Sequence, residues 1–254
     1  MAKEMIKVHL IVNVFNGEKY LEESLATLID QKYKNITIHC FDNHSTDKTS
    51  DILKKKSLLY SNVISYKTPK HIPLFEARNY AVRMIHKDIT DQFYFGFCDA
   101  DDLWDKNWVE SLIKVSTNMP DILTCNGVTL FNGKTSRFSS CLSLSRPSPF
   151  NCPVALQSCL FSSNIIQNET PFFDDYFKII SDTEFWIRVG HKLTYVHISD
   201  YLFSYRVHSK SMVQSNFYPI LVERWRILKK HNLSKIRFFF DFLRSFLHIL
   251  HRKD

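Results

Sequence analysis

The chain has 254 residues, 44% hydrophobic and 23% charged, enough to bury a substantial core as one large domain with an appendage. A formal net charge of +7 suits an anionic partner such as a nucleotide or anionic lipid, while the lack of a Lys/Arg block with interleaved aromatics speaks against nucleic acid. Six cysteines without a CxxC pair point to reduced core thiols in a cytoplasmic protein, and no stretch fits a signal peptide or a transmembrane helix.

Lys7–Val14 is a β-branched run that ends in the turn signal Asn13-Val14-Phe15-Asn16-Gly17, and it predicts the first strand. Residues 18–31 carry Tyr20, Leu21, Leu25, Leu28 and Ile29 at helical spacing. A second strand over 36–41 runs into Asp42-Asn43-His44-Ser45-Thr46-Asp47, where Thr46 or Asp47 can cap a helix over 48–56. A short strand over 63–66 and a helix over 76–86, containing Arg78-Asn79, follow. This alternation predicts an α/β fold, a mostly parallel sheet flanked by helices.

The fourth strand, from Gln92, is an aromatic run that stops at Asp99-Ala100-Asp101-Asp102. Three carboxylates at a strand exit repel one another unless they meet water or a cation, and oxygen ligands suit Mg²⁺ or Mn²⁺. The alternative is a solvated acidic turn in which Asp102 caps a helix starting near Trp104. Asp42 and this cluster lie at the same edge of a parallel sheet, where ligands of open α/β sheets bind. No GxGxxG loop precedes them, which argues against a dinucleotide site.

Further on, a strand is expected over Ile122–Phe131 with a turn at Asn132-Gly133, a mobile Ser/Pro-rich loop over 136–149, and a return to the sheet within 153–166. Residues 182–189 read as a helix, and on the residues alone a dipole pair of Asp182 and Arg188 is as good a reading as a catalytic role. A helix over 219–231 precedes a second, capped by Ser234, over 235–253. The second sets Arg237, Arg244 and Arg252 against a Phe-rich face, with five Lys/Arg to two Asp from 235 to 254. Such a helix either lies on an anionic membrane or packs on protein. The division expected is 1–218, with a donor half to about 105 and an acceptor half from 106, and a helical tail over 219–254.

Several of these stretches together carry a family resemblance. Asn13-Val14-Phe15-Asn16-Gly17, Phe41-Asp42-Asn43-His44-Ser45-Thr46-Asp47, Ala77-Arg78-Asn79 and Asp99-Ala100-Asp101-Asp102 resemble, in order, motifs of family 2 glycosyltransferases. So do Phe173-Asp174, the run from Ser181 through Asp182, Trp186 and Arg188, and Tyr205-Arg206-Val207-His208 with Ser211-Met212. The chain departs from the usual pattern at Asn13-Val14 for Pro-Thr, Asn43-His44 for Asp-Gly, Ser181 for Glu, and Pro171-Phe172 for paired glycines.

The resemblance implies a GT-A fold and an inverting, metal-dependent hexosyl- or N-acetylhexosaminyltransferase using a nucleotide-diphosphate sugar, UDP-linked by expectation. It implies donor contacts from Phe15, Asn16, Asp42, Asn43, Arg78, Asp99, Ala100 and Asp101, and Mn²⁺ or Mg²⁺ on Asp101 and His208. It also implies Asp182 as catalytic base and Asp102, Trp186 and Arg188 on the acceptor side. The acceptor would be a glycan or lipid-linked glycan of bacterial surface polysaccharide or lipooligosaccharide synthesis, with the enzyme cytoplasmic or peripheral on the inner membrane face through 235–253. The competing readings are a nucleotidyltransferase, for which a basic Gly-rich N-terminal loop is missing, and a binding module without catalysis. A glycosidase would need two opposed carboxylates, which strand-end clustering does not suggest.

Overall fold

The structure, a computed structural model, describes residues 5–87, 89, 91–140, 148–150, 152, 154–168, 171–208, 217–236 and 239. Strands β1 (Lys7–Val14), β2 (Ile36–Asp42), β3 (Val63–Lys67) and β4 (Phe93–Asp99) alternate with helices α1 (Leu21–Ile29), α2 (Thr49–Leu59) and α3 (Leu74–His86). The four strands pair in parallel in the order β3-β2-β1-β4, with Val14 opposite Asp42 and Asn13 opposite Asp99. Both acidic strand ends therefore finish level on one edge of the sheet.

Beyond β4 the sheet is mixed. β8 (Cys159–Ser162) runs antiparallel to β4 and to β6 (Ile122–Phe131), and β9 (Tyr195–Arg206) runs parallel to β6. The strand order continues β8-β6-β9-β5, with β5 spanning Leu103–Trp104 and β7 (Lys134–Phe138) paired to β6. The fold is thus α/β with a mixed sheet, all parallel over β1–β4 and beyond them antiparallel except for the β6/β9 pair. Short connections account for this, since the Asn132-Gly133 turn can join only antiparallel neighbours.

Two expectations change. Leu103–Trp104 forms a short strand, β5, on β9, and the helix starts only at Trp108 (α4, Trp108–Lys114), so Asp102 is no N-cap. Residues 136–138 of the expected loop belong to β7, while 141–147 lie outside the described residues.

The sheet separates two apolar layers. On one side Leu21, Leu25 and Leu28 of α1 pack on Val8, Leu10 and Val12 of β1. Each leucine is at most 1% exposed, a burial contributing about 2 kcal/mol apiece. The alternate residues of β4, Phe93, Phe95 and Phe97, face the other side with Phe75 of α3 and with Phe161, Phe172, Phe173, Phe185 and Trp186. Nine of the 21 phenylalanines thus gather in one aromatic cluster joining the two halves, in which Phe97 lies tilted 5.3 Å from Phe173 and Phe172 stacks 4.6 Å from Phe185.

Two further helices, α5 (Asn164–Asn168) and α6 (Ser181–Val189), precede β9, and α7 (Phe217–Lys230) follows it. Helix α7 packs Ile220 and Ile227 on Phe177 and Ile180. Helix α7 thus packs on residues that precede the boundary expected at 218/219. Residues 235, 236 and 239 are helical, and the rest of the expected 235–253 helix lies outside the described residues. Among the described residues no helix is long and apolar enough to cross a membrane.

Candidate functional site

A cleft of about 1210 Å³ opens along the strand-end edge, lined among others by Phe15, Asn16, Asn43, Arg78, Asp99, Ala100, Asp101, Asp182 and His208. Its size exceeds the roughly 300–1,000 Å³ of single small-ligand pockets, which leaves room for two substrates.

The wall over β1 and β2 is two loops zipped together. Asn16 Oδ1 accepts the Thr46 N–H at 2.8 Å, and Ser45 Oγ accepts the Asn16 N–H at 2.9 Å. Asp47 and Glu18 exchange bonds in the same way, Asp47 Oδ2 accepting the Glu18 N–H and Glu18 Oε2 the Lys48 N–H, each at 3.0 Å. Asn16 and His44 hold φ of 51° and 64°, a left-handed backbone that asparagine tolerates and glycine prefers. His44 stands where the resembling motif has glycine, and its Nε2 lies 2.7 Å from the Thr68 carbonyl, an anchor that helps offset the strain. Phe15 is half exposed at the cleft rim, its ring 4.5 Å from that of His71.

Asp42 and Asn43 are used differently from the sequence expectation. The Asp42 carboxylate does not line the cleft; it accepts the Ser45 N–H at 2.9 Å and the Ser50 hydroxyl. Burial pushes its pKa up, but the Ser50 and Ser45 bonds and the charge of Lys67 more than offset this and hold it below the ordinary value. The Asn43 side chain pins the loop before α3, donating to the Ile72 carbonyl at 2.7 Å and accepting the Ile72 N–H at 3.0 Å. Both residues thus shape the floor through the protein's own bonds.

At the end of β4, Arg78 donates to Asp99 Oδ1 and Gln157 donates to Asp99 Oδ2, so each carboxylate oxygen has a partner. The guanidinium lies 5.1 Å from the Phe75 ring and 5.6 Å from the Phe97 ring, a desolvated position that strengthens the pairing. Asp101 Oδ2 sits 2.9 Å from His208 Nε2, joining the turn after β4 to the segment just past β9. Burial, then the neighbouring Asp99 charge, raises the Asp101 pKa.

Asp102 is fully buried away from the cleft. Its Oδ1 accepts the Arg206 N–H at 2.8 Å, and its Oδ2 has no protein partner. Burial first, then Asp99 and Asp101, pushes its pKa well up. Asp102 therefore holds β9, and with it His208, and does not reach an acceptor.

The later half of the chain supplies Asp182, in the first turn of α6. Its Oδ1 accepts the Thr183 N–H at 2.8 Å. Burial raises its pKa; Arg78 pulls it down and Asp99 pushes it up, so α6 delivers this carboxylate into electrostatic reach of the donor-side pair. The motif Ala77-Arg78-Asn79 makes that convergence possible. Asn79 donates to the Phe173 carbonyl at 2.7 Å and accepts the Phe173 N–H at 2.8 Å, locking the Phe-Asp segment to α3.

Trp186 and Arg188, expected on the acceptor side, point elsewhere. Trp186 is wholly buried against Phe161, with ring centroids 5.9 Å apart. Arg188 pairs with Glu184 at 3.2 Å and donates to the Phe172 carbonyl at 2.9 Å. Both are packing residues because α6 presents these positions to the aromatic core.

Gln157, Tyr205 and Lys178 also line the cleft; Tyr205 was named from the sequence only within the Tyr-Arg-x-His run, without a role, and the other two were not singled out. Tyr205 lies among the carboxylates, its phenol raised by burial and then by Asp102, Asp99, Asp101 and Asp182. Its place beside Arg206 and His208 was the available signal; Gln157 and Lys178 carried none.

The model of glycosyl transferase family 2 matches residues 9–179, more than half of the chain. The chain belongs to that family. An uncharacterized glycosyltransferase of Rickettsia typhi is 25% identical over 217 residues, covering 81% of this chain and 64% of that protein. The UDP-Glc:alpha-D-GlcNAc-diphosphoundecaprenol beta-1,3-glucosyltransferase WfaP of Escherichia coli is 26% identical over 230 residues, 87% of this chain and 85% of its own length. The crystal structure of S. aureus TarS 1-349 in complex with UDP-GlcNAc superposes with a TM-score of 0.69 at 18% identity, over 91% of this chain and 69% of that one. The fold of this family 2 member is therefore that of the GT-A transferases.

Proposed function

We propose that this glycosyltransferase moves a hexosyl or N-acetylhexosaminyl group from a nucleotide-diphosphate sugar to a hydroxyl of a glycan or lipid-linked glycan, inverting the anomeric configuration. A UDP-linked donor and a role in bacterial surface polysaccharide synthesis are supported by the activity that the name of the E. coli relative states. The observation that carries the reading is the meeting of Arg78-Asp99, Asp101-His208 and Asp182 around one cleft, from both halves of the chain.

The nucleotide would lie over the β1 and β2 loops, beside Phe15 and His71, with the diphosphate toward Arg78 and Asp101. Asp101 and His208 fit a divalent ion: they offer one hard oxygen and one imidazole nitrogen, and the Asp99 charge that destabilises the Asp101 carboxylate would favour a cation there. Among the described residues no cluster of three His, Cys, Asp or Glu side chains could hold a metal, so remaining ligands would be phosphate oxygens and water, as Mg²⁺ and Mn²⁺ accept. Such an ion supplies Lewis-acid stabilisation of charge on the departing diphosphate. Asp182 takes the proton from the acceptor hydroxyl as that oxygen attacks the anomeric carbon.

The test is hydrolysis and transfer across a panel of nucleotide sugars with Mn²⁺, with and without chelator. Turnover of at least one nucleotide-diphosphate sugar is expected. Consumption of a nucleoside triphosphate with release of pyrophosphate, and of no sugar nucleotide, would overturn the reading in favour of a nucleotidyltransferase.

A further inference from the structure

Helix α7 has two faces of different chemistry. The inner face is fixed by contacts: Ile220 and Ile227 are buried on Phe177 and Ile180, and Glu223 accepts backbone N–H groups of Lys178, Ile179 and Ile180. The outer stripe, at spacings of three and four, is Tyr218, Val222, Trp225 and Lys229, with Arg226 beside it. Tyr218 is 75% and Trp225 40% exposed, and the neighbouring Tyr176 is 58% exposed. Glu223, the helix's single acid, is on the inner face, so the outer stripe combines aromatic rings with positive charge alone.

We infer that this stripe docks on an anionic lipid surface. Rings with a polar tip beside lysine and arginine are the composition favoured at the headgroup level, where the ring enters the interface and the cation meets lipid phosphate. An acidic protein would satisfy the charges but leave three large rings to find apolar partners. The rings are also held outward: Lys229 Nζ lies 5.4 Å from the Trp225 ring and Arg226 5.3 Å from the Tyr176 ring.

The helix also touches segments that continue into the cleft wall. Arg226 stacks on Tyr176, two residues before Lys178 in the cleft wall, and Arg224 lies 4.4 Å from Phe150, two residues before Cys152 in that wall. This surface is distinct from the 235–253 helix and does not depend on which sugar is transferred.

Trp225 is its own reporter. The chain has four tryptophans, of which Trp104, Trp108 and Trp186 are buried, and residues 226–254 contain none. With the full chain, vesicles of phosphatidylglycerol and phosphatidylcholine should shift Trp225 emission to the blue and allow quenching by lipids brominated near the headgroup. Pure phosphatidylcholine should do neither. The double variant Arg226→Gln/Lys229→Gln should bind the anionic vesicles about thirtyfold more weakly, given the contribution of each basic residue near such a surface.

Vesicle binding without any change in Trp225 emission would overturn the inference and assign binding to another part of the chain. So would Trp225 being shielded from aqueous acrylamide before vesicles are added, which would mean the stripe is covered by the tail or by a second copy.

Discussion

The Glu223 carboxylate, on α7, accepts the N–H of Ile180, the residue that opens α6, at 3.0 Å. The same carboxylate takes the N–H groups of Lys178 and Ile179 at 2.7 and 3.0 Å, so one side chain from a later helix caps the start of α6. A helix N-terminus needs such acceptors and favours a negative one. Two residues on is Asp182, and two residues back is Lys178 in the cleft wall.

The first prediction concerns that clamp. Glu223→Gln keeps the shape but turns a donor toward one or more of the three N–H groups, costing about 2 kcal/mol of stability as charged hydrogen bonds are lost. Because Asp182 moves with the start of α6, kcat should fall while nucleotide affinity stays near normal. Thermal melting, nucleotide titration and transfer rates measured together check this. An equal loss in nucleotide binding would mean that Glu223 supports the whole domain and not the acceptor side.

Metal removal gives the second prediction. With Asp101 and His208 as the protein's grip, chelation should abolish transfer, and Asp101→Asn should weaken nucleotide binding in Mn²⁺ but hardly change it without metal. Titration calorimetry with and without Mn²⁺ separates the two. Equal weakening in both conditions would assign Asp101 to the nucleotide itself.

A third prediction follows from a buried pair behind the site. His9 Nδ1 and His39 Nε2 lie 2.8 Å apart on adjacent strands, and His39 Nδ1 lies 3.2 Å from the Tyr66 hydroxyl. Burial, then Lys7, lowers His9 to about 4, and burial, then His9 and Lys7, lowers His39 to about 3. Unfolded, both titrate near 6.5. Above pH 6.5 neither state binds these protons, so stability is full. As pH falls toward 4 the unfolded chain takes up protons that the folded chain refuses, and stability drops by about 1.4 kcal/mol per pH unit for each histidine. Denaturant midpoints from pH 7 to 4.5, compared with His39→Gln, should show a shallower slope in the variant. Identical slopes would place the acid sensitivity elsewhere.

The donor half was legible because its signals agree: strand and helix alternate, each strand is β-branched or aromatic, and each acidic turn follows a strand end. The resemblance then placed Arg78, Asp99, Asp101, His208 and Asp182 on one cleft. Other features had no such agreement. The polar run Lys134–Phe138 gives no alternation because it is an edge strand whose residues face water, so only the Asn132-Gly133 turn hinted at it. Helix α7 looked like a separate module because it binds the domain partly through charge. Lys230 bridges Asp174 at 2.5 Å and the buried Glu184 at 2.6 Å, and His231 reaches Glu184 at 3.0 Å. Asp102, Trp186 and Arg188 carry motif residue types, yet only the side-chain directions show that they brace the site from behind.

The last prediction assigns the base. Two carboxylates stand on α6, and their surroundings push them in opposite directions. Glu184 is wholly buried; burial alone would raise it, but His231, Lys230 and Arg188 bring it down to about 2, leaving it a fixed anion with no cleft exposure. Asp182 lines the cleft and is raised by burial, with Arg78 and Asp99 pulling in opposite directions. A base with a raised pKa is a better proton acceptor once ionised, so activity should rise with pH through a limb above the roughly 3.9 of a free aspartate. Asp182→Asn should lower transfer by about 10² to 10⁴ with donor affinity almost unchanged. Glu184→Gln should chiefly lower melting temperature, because it removes the buried counter-charge of Lys230 and Arg188. The pH profile of kcat in both variants, with nucleotide titrations alongside, decides the matter. Near-normal transfer by Asp182→Asn, together with loss of the acid limb in Glu184→Gln, would move the base to Glu184.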